Sequence, residues 1–154
     1  MEDFSLELHN ATIDDIDKVV FLENQLFVYD AWINNMFKNI LNYKNHSFVV
    51  AKVSDNIVGY ICTQYILDEM AIDNLAVDAA WQGRGVASAL LNNQISKAQN
   101  IGIRHIFLEV ATNNAAAIAL YNKFGFKTLR LRKNYYSYSD ALELRLSLNE
   151  VDSN

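Results

Sequence analysis

The chain has 154 residues, 51% of them hydrophobic, enough for one domain with a sizeable core. Charged residues make up 20%, too few for a disordered polyelectrolyte, and a net charge of −5 argues against nonspecific nucleic-acid binding. That sign suits a cationic partner such as an amine.

The start, Met1-Glu2-Asp3, is acidic, and no apolar stretch approaches the roughly 18 residues of a membrane span. The expectation is a cytoplasmic protein with no membrane partner. Cys62 is the single cysteine, so no internal disulfide forms, and its apolar run Tyr60-Ile61-Cys62 points to a buried, inert thiol.

Phe4, Leu6 and Leu8 alternate with polar residues as in a half-buried strand. Thr12 reads as a helix N-cap with Asp15 at the third helical position, and Ile13, Ile16, Val19, Val20 and Leu22 form the apolar face. Asp30 caps a second helix whose inner side carries Ile33, Met36, Phe37, Ile40 and Leu41. Phe48–Val53 and Ile57–Leu67 are strands around the turn Ser54-Asp55-Asn56, with Gly59 as a candidate bulge. Met70–Val77 follows as an antiparallel strand after a turn at Asp68-Glu69.

A helix is expected from Gly85 to Asn100, with Val86, Leu90, Leu91, Ile95 and Ala98 inward and Gly102 as its stop. Ile103–Val110 is the next strand, Asn114–Phe124 a helix ended by Gly125, and Phe126–Leu131 and Ala141–Leu148 the last strands. The fold class is α/β (α+β): a mixed, mostly antiparallel sheet of about seven strands flanked by about four helices. Residues 1–148 read as one domain and 149–154 as a polar tail.

Gln82-Gly83-Arg84-Gly85-Val86-Ala87 lies between a strand and a helix start. Two glycines allow a sharp turn and close approach of a ligand, and the free N–H groups of the helix head favour an anion. Alone, these residues fit either a pyrophosphate cradle or a plain loop. Val86-Ala87 stands where a P-loop needs Lys-Ser/Thr. The third glycine of a dinucleotide fingerprint is missing, and five residues separate Val77 from Gly83.

Asn74-Leu75-Ala76-Val77-Asp78 followed by Gln82-x-x-Gly85-x-Ala87 resembles motif A of the GNAT acetyltransferases, Gln/Arg-x-x-Gly-x-Gly/Ala. The resemblance implies the GNAT acyl-CoA N-acyltransferase fold and acetyl-CoA as co-substrate. It implies a pyrophosphate site at Gln82, Gly83, Arg84, Gly85, Val86 and Ala87. The pantetheine arm would pair with the strand at Leu75, Ala76 and Val77. Ala79 departs from the pattern, where many relatives have proline.

Leu108-Glu109-Val110, Asn114-Ala115-Ala116-Ala117-Ile118-Ala119-Leu120-Tyr121, Phe124-Gly125-Phe126 and Asn134-Tyr135-Tyr136 resemble the bacterial ribosomal-protein-alanine N-acetyltransferases, the RimI group. Thr63–Glu69 adds to the match, which runs from Phe4 to about Leu148. The resemblance implies transfer of acetyl to the N-terminal α-amine, of Ala or Ser type, of a ribosomal protein.

An α-amine with a reference pKa of about 7.7–8.0 must lose a proton to attack a thioester. Glu109 is the candidate base, directly or through one water. The departing thiolate needs a proton, and by position in the family motif Tyr121 is the acid. The carry-over also makes Asn114 and Tyr121 coenzyme contacts. Glu69 is the runner-up base or a group that binds the amine. Tyr135 and Tyr136 either cover the sheet or close over the peptide N-terminus. Tyr29, with Phe27 and Trp32, forms the opposite wall or ordinary core. Ser137-Tyr138-Ser139-Asp140 is shorter than the family's usual connection and lacks its Pro and Gly-Arg-Glu portions.

His9, His46 and His105 share no ligand spacing, so no metal is expected. The chain is read as a monomer or weak dimer. Acetylation of a lysine or a small amine is the alternative activity, with Asp68, Glu69 and Asp73 as the acids a polyamine would want. A non-catalytic acetyl-CoA sensor is the third reading.

Overall fold

A computed structural model describes residues 4–27, 32 and 34–148. Tyr29, Asp30, Ile33 and the tail 149–154 lie outside the described residues. Among the described residues the strands are β1 (Leu6–Asn10), β2 (His46–Val53), β3 (Asn56–Ile66), β4 (Glu69–Val77), β5 (His105–Ala111), β6 (Lys127–Arg132) and β7 (Ala141–Ser147). The helices are α1 (Ile16–Leu26), α2 (Asn34–Asn42), α3 (Val86–Asn100) and α4 (Ala115–Lys123). Element number and order match the sequence reading. The strands form one mixed sheet in the order β1-β2-β3-β4-β5-β7-β6. β4 and β5 are parallel, whereas β1–β2, β2–β3, β5–β7 and β6–β7 are antiparallel.

The chain forms two compact units, Met1–Gln64 with Asp73–Gln94, and Tyr65–Ile72 with Ile95–Asn154. In the first, Ile16, Val19 and Leu22 of α1 and Phe37 and Ile40 of α2 pack with Phe48, Val50, Tyr60, Cys62 and Ala76 from the strands. Phe27 and Trp32 join this core, as the second of their two readings has it. Thr12 N–H donates to Asp15 Oδ2 at 2.9 Å, the capping contact expected of that pair.

Three expectations shift. Residues Ile13–Asp15 form a 3₁₀ turn before α1, which rotates Ile13 off the helical stripe and leaves it exposed. Met36 is exposed too, because it sits about 100° round the helix from Phe37. Leu67 takes φ 55 in the β3–β4 turn, so the turn is Leu67-Asp68 and Glu69 opens β4.

Gly59 does adjoin a bulge: Ala51 pairs with Gly59 and Lys52 with Ile57, which skips Val58. Two polar side chains lie on the apolar stripes. Gln94 of α3 accepts from Thr63 Oγ1 at 2.7 Å and donates to Ser47 Oγ at 3.1 Å. Glu23 of α1, 1% exposed, accepts from Tyr60 Oη, from Asn74 Nδ2 at 3.0 Å and from Trp32 N at 2.9 Å. Cys62 is buried, and burial pushes its thiol up, as an inert thiol requires.

In the second unit, Ile106, Leu108 and Val110 of β5 lie opposite Leu146, Leu144 and Leu142 of β7. The other face alternates with them and carries His105, Phe107 and Glu109 opposite Ser147, Arg145 and Glu143. Gly102 ends α3 at φ 84, and Arg104 N–H then donates to Asp68 O at 2.7 Å. Gly125 ends α4 at φ 96, with Phe126 N–H closing onto Tyr121 O at 3.0 Å.

Candidate active site

In the first unit the strand β4 runs into the glycine turn. Asp78 N–H donates to Val58 O at 2.8 Å, and its carboxylate accepts from Ala80 N–H at 2.9 Å, which fixes the short turn Ala79–Trp81. Gln82 Nε2 then reaches back to Val77 O at 3.2 Å. Gly83 and Gly85 take φ 76 and φ 86, backbone that side chains rarely adopt. A Cβ at either would meet nothing within 4 Å, so the glycines are required by conformation and their surroundings are open.

The first helical bond of α3 after this turn is Ala89 N–H to Gly85 O at 3.0 Å. The N–H groups of Val86, Ala87 and Ser88 are therefore left at the helix head, where the helix dipole favours an anion. Arg84 adds a cation, its guanidinium 4.8 Å over the Trp81 ring. An open, left-handed backbone with a cation and free N–H groups fits a pyrophosphate. Leu75, Ala76 and Val77 end β4, and five residues separate Val77 from Gly83.

In the second unit Glu109 sits in β5 with its side chain partly exposed. Its Oε1 accepts from Arg132 Nη1 at 2.8 Å, and its main-chain oxygen accepts from Tyr136 Oη at 3.2 Å. Tyr135 stands edge-on to Tyr136 at 4.9 Å, and Tyr138 stacks on Tyr136 at 5.3 Å. Burial, then the neighbouring Tyr135, Tyr138, Glu109 and Tyr121, hold the Tyr136 hydroxyl well above the usual phenol range. Tyr121 is buried against Phe126 at 5.5 Å, and burial raises its phenol as well. It therefore stays protonated across the physiological range and is a weaker acid than a free phenol. Asn114 caps α4 by accepting from Ala117 N–H at 3.1 Å.

Glu109, Tyr121, Tyr135 and Tyr136 are thus gathered in one unit. Glu69 is not brought to them: it pairs with His105, four residues before Glu109, about 13 Å along β5. Asp73, another acid of the small-amine reading, accepts from Gln64 Nε2 at 3.0 Å. Sequence reasoning missed Arg132 and Glu23. Among the described residues no three His, Cys, Asp or Glu side chains form a metal-binding group, and no helix is long and apolar enough to cross a membrane.

The glycine turn at a helix head, on a mixed sheet whose β4–β5 pair is parallel, points to the class of protein. The chain belongs to the acetyltransferase (GNAT) family, whose model matches residues 13–126. It is 42% identical over 84 residues to the ribosomal protein bS18-alanine N-acetyltransferase of Escherichia coli K12, a match covering 54% of this chain and 57% of that relative's length. It is 39% identical over 109 residues to the protein of the same description from Haemophilus ducreyi, covering 71% of each. The crystal structure of the ribosomal-protein-S18-alanine N-acetyltransferase from Escherichia coli superposes with a TM-score of 0.86 at 27% identity, covering 97% of this chain and 98% of that one. The fold is therefore the GNAT fold.

Proposed function

We propose that this chain is an acetyl-CoA-dependent N-acetyltransferase that acts on the N-terminal α-amine, of Ala or Ser type, of a ribosomal protein. The observation that carries the reading is the Haemophilus ducreyi relative, whose described activity is alanine N-acetylation of bS18. The site chemistry supports it. Gly83 and Gly85, Arg84 and the head of α3 hold the coenzyme pyrophosphate, and Leu75–Val77 offers backbone to the pantetheine arm. Asn114 adds a coenzyme contact through its amide, since its Oδ1 caps α4.

The amine attacks the thioester carbon as Glu109 accepts its proton, directly or through one water. The carbon–sulfur bond breaks, and Tyr121 protonates the departing thiolate. Tyr135 and Tyr136 hold the acceptor backbone with their phenols. Such a protein works in the cytoplasm as a monomer or weak dimer.

The test is acetyl transfer by the purified protein, read by mass spectrometry. The panel holds peptides with N-terminal Ala, Ser or Met, blocked peptides with a free lysine, and polyamines. A mass gain confined to free Ala and Ser N-termini is expected. Transfer to lysine or polyamine overturns the acceptor assignment. Coenzyme binding without any transfer overturns the enzyme and leaves a sensor.

A further inference from the structure

Arg132 carries no motif in the sequence, yet it holds the residue on which the proposed chemistry turns. It is the last residue of β6, and its Nη1 lies 2.8 Å from Glu109 Oε1. The same guanidinium lies 5.0 Å over the ring of Tyr135. Glu109 also faces Glu143 directly across the β5–β7 pair. Two carboxylates placed so repel one another. β6 supplies an arginine to each, Arg130 to Glu143 and Arg132 to Glu109.

We infer that Arg132 is a positioning residue for acetyl transfer, holding the Glu109 carboxylate in one orientation with Oε2 left to take the amine proton. The inference rests on the reading of Glu109 as the base. A glutamate on a partly exposed strand samples several rotamers, and repulsion from Glu143 swings it away. A planar guanidinium, itself steadied on the Tyr135 ring, removes that freedom. Among the described residues the Arg132 contact falls on Oε1, so the second oxygen keeps its lone pairs for the acceptor. Tyr136 fixes the main chain of the same residue through its carbonyl. Glu109 is thus tied at both main chain and side chain to the segment from Arg132 to Tyr136.

The experiment uses the full chain and an Ala-terminated acceptor peptide, with kcat, both KM values, acetyl-CoA binding and melting temperature measured for each variant. Arg132→Gln should lower kcat on the order of tenfold, with acetyl-CoA affinity and melting temperature held. Arg132→Lys, which keeps the charge without the fork, should recover part of the loss. Glu109→Gln and the double variant Arg132→Gln/Glu109→Gln should turn over equally slowly, since a residue that acts through Glu109 has nothing left to position. Wild-type kcat in Arg132→Gln beside a slow Glu109→Gln overturns the inference and leaves Glu109 standing as the base. A double variant slower than Glu109→Gln alone overturns it as well, because Arg132 then acts elsewhere. Full activity in Glu109→Gln removes the base and this role together. A fall in kcat matched by a fall in melting temperature, with no recovery in Arg132→Lys, shows a merely structural arginine.

Discussion

Gly59 lies so close to Ala76 that a Cβ built on it would stand 2.8 Å from the Ala76 carbonyl oxygen. The same atom would meet Val86 Cγ1 at 3.1 Å and Leu90 Cδ1 at 3.3 Å. The closest neighbour is backbone of β4, which cannot rotate aside. Gly59→Ala should therefore force the head of α3 and the end of β4 apart. The expected loss of stability is about 1–3 kcal/mol, read by urea unfolding. Coenzyme A affinity should fall several-fold in calorimetry, because Ala76 and Val86 flank the glycine turn. Unchanged stability and affinity would show that the close approach constrains nothing.

Gly85 tests the other property of glycine. At φ 86 with open space around it, the residue is needed for its backbone, not for room. Gly85→Ala should cost about 1–2 kcal/mol of left-handed strain with a modest effect on coenzyme A binding. Gly85→Asp adds a negative charge at the helix head and should weaken binding far more, with the gap narrowing as salt is raised. Equal affinities for the two variants would take the pyrophosphate away from this turn.

How much of this could be read from the residues alone depends on what fixes each feature. Period and turn chemistry are local, so the seven strands and four helices among the described residues and the Gly83–Gly85 turn were legible. Strand order is not local. Leu142, Leu144 and Leu146 announce a strand with one buried face, but nothing in them says that β7 inserts between β5 and β6. The Arg132–Glu109 pair depends on that insertion and stayed hidden with it. Glu23 left a faint signal: it stands four residues after Val19 and seven after Ile16, on the buried stripe, where a charged residue reads as an interruption. Its side-chain partners, Tyr60 and Asn74, are 37 and 51 residues away.

Tyr121→Phe isolates the proposed acid. The ring keeps its edge-on contact with Phe126, so folding and coenzyme binding should be nearly unchanged. Turnover should fall by about 10²–10⁴-fold, the usual scale for general acid–base catalysis. Full turnover in this variant would assign the proton to another group.

Asp15 makes stability depend on acid pH. Burial raises its carboxyl, but the Thr12 N–H and the Lys52 ammonium, 3.0 Å away, outweigh burial and hold it below the usual range. A carboxyl depressed in the folded state stabilises fully above its unfolded pKa of about 3.9, and that contribution disappears as pH falls through the lower, folded value. Asp15→Asn should be less stable at neutral pH by on the order of 1 kcal/mol. The two proteins should converge in strongly acidic urea titrations. A gap that stays constant from neutral to acid pH would mean that the charge on Asp15 contributes nothing.

Glu23 offers the sharpest test of a buried group. Tyr60 Oη, Asn74 Nδ2 and Trp32 N all donate to its two oxygens. Glu23→Ala leaves all three donors without their acceptor and opens a cavity in the core of the first unit. The expected cost is about 3–5 kcal/mol, the scale for leaving buried donors unsatisfied together with a core cavity. Glu23→Gln keeps the volume but offers one oxygen and one N–H₂ group where donors already point, so one donor faces another. Its cost should be smaller, about 1–3 kcal/mol. The two variants together separate shape from charge in urea unfolding: glutamine as stable as glutamate would mean the carboxylate acts only as filler, and equal losses for glutamine and alanine would mean the charge carries the whole contribution.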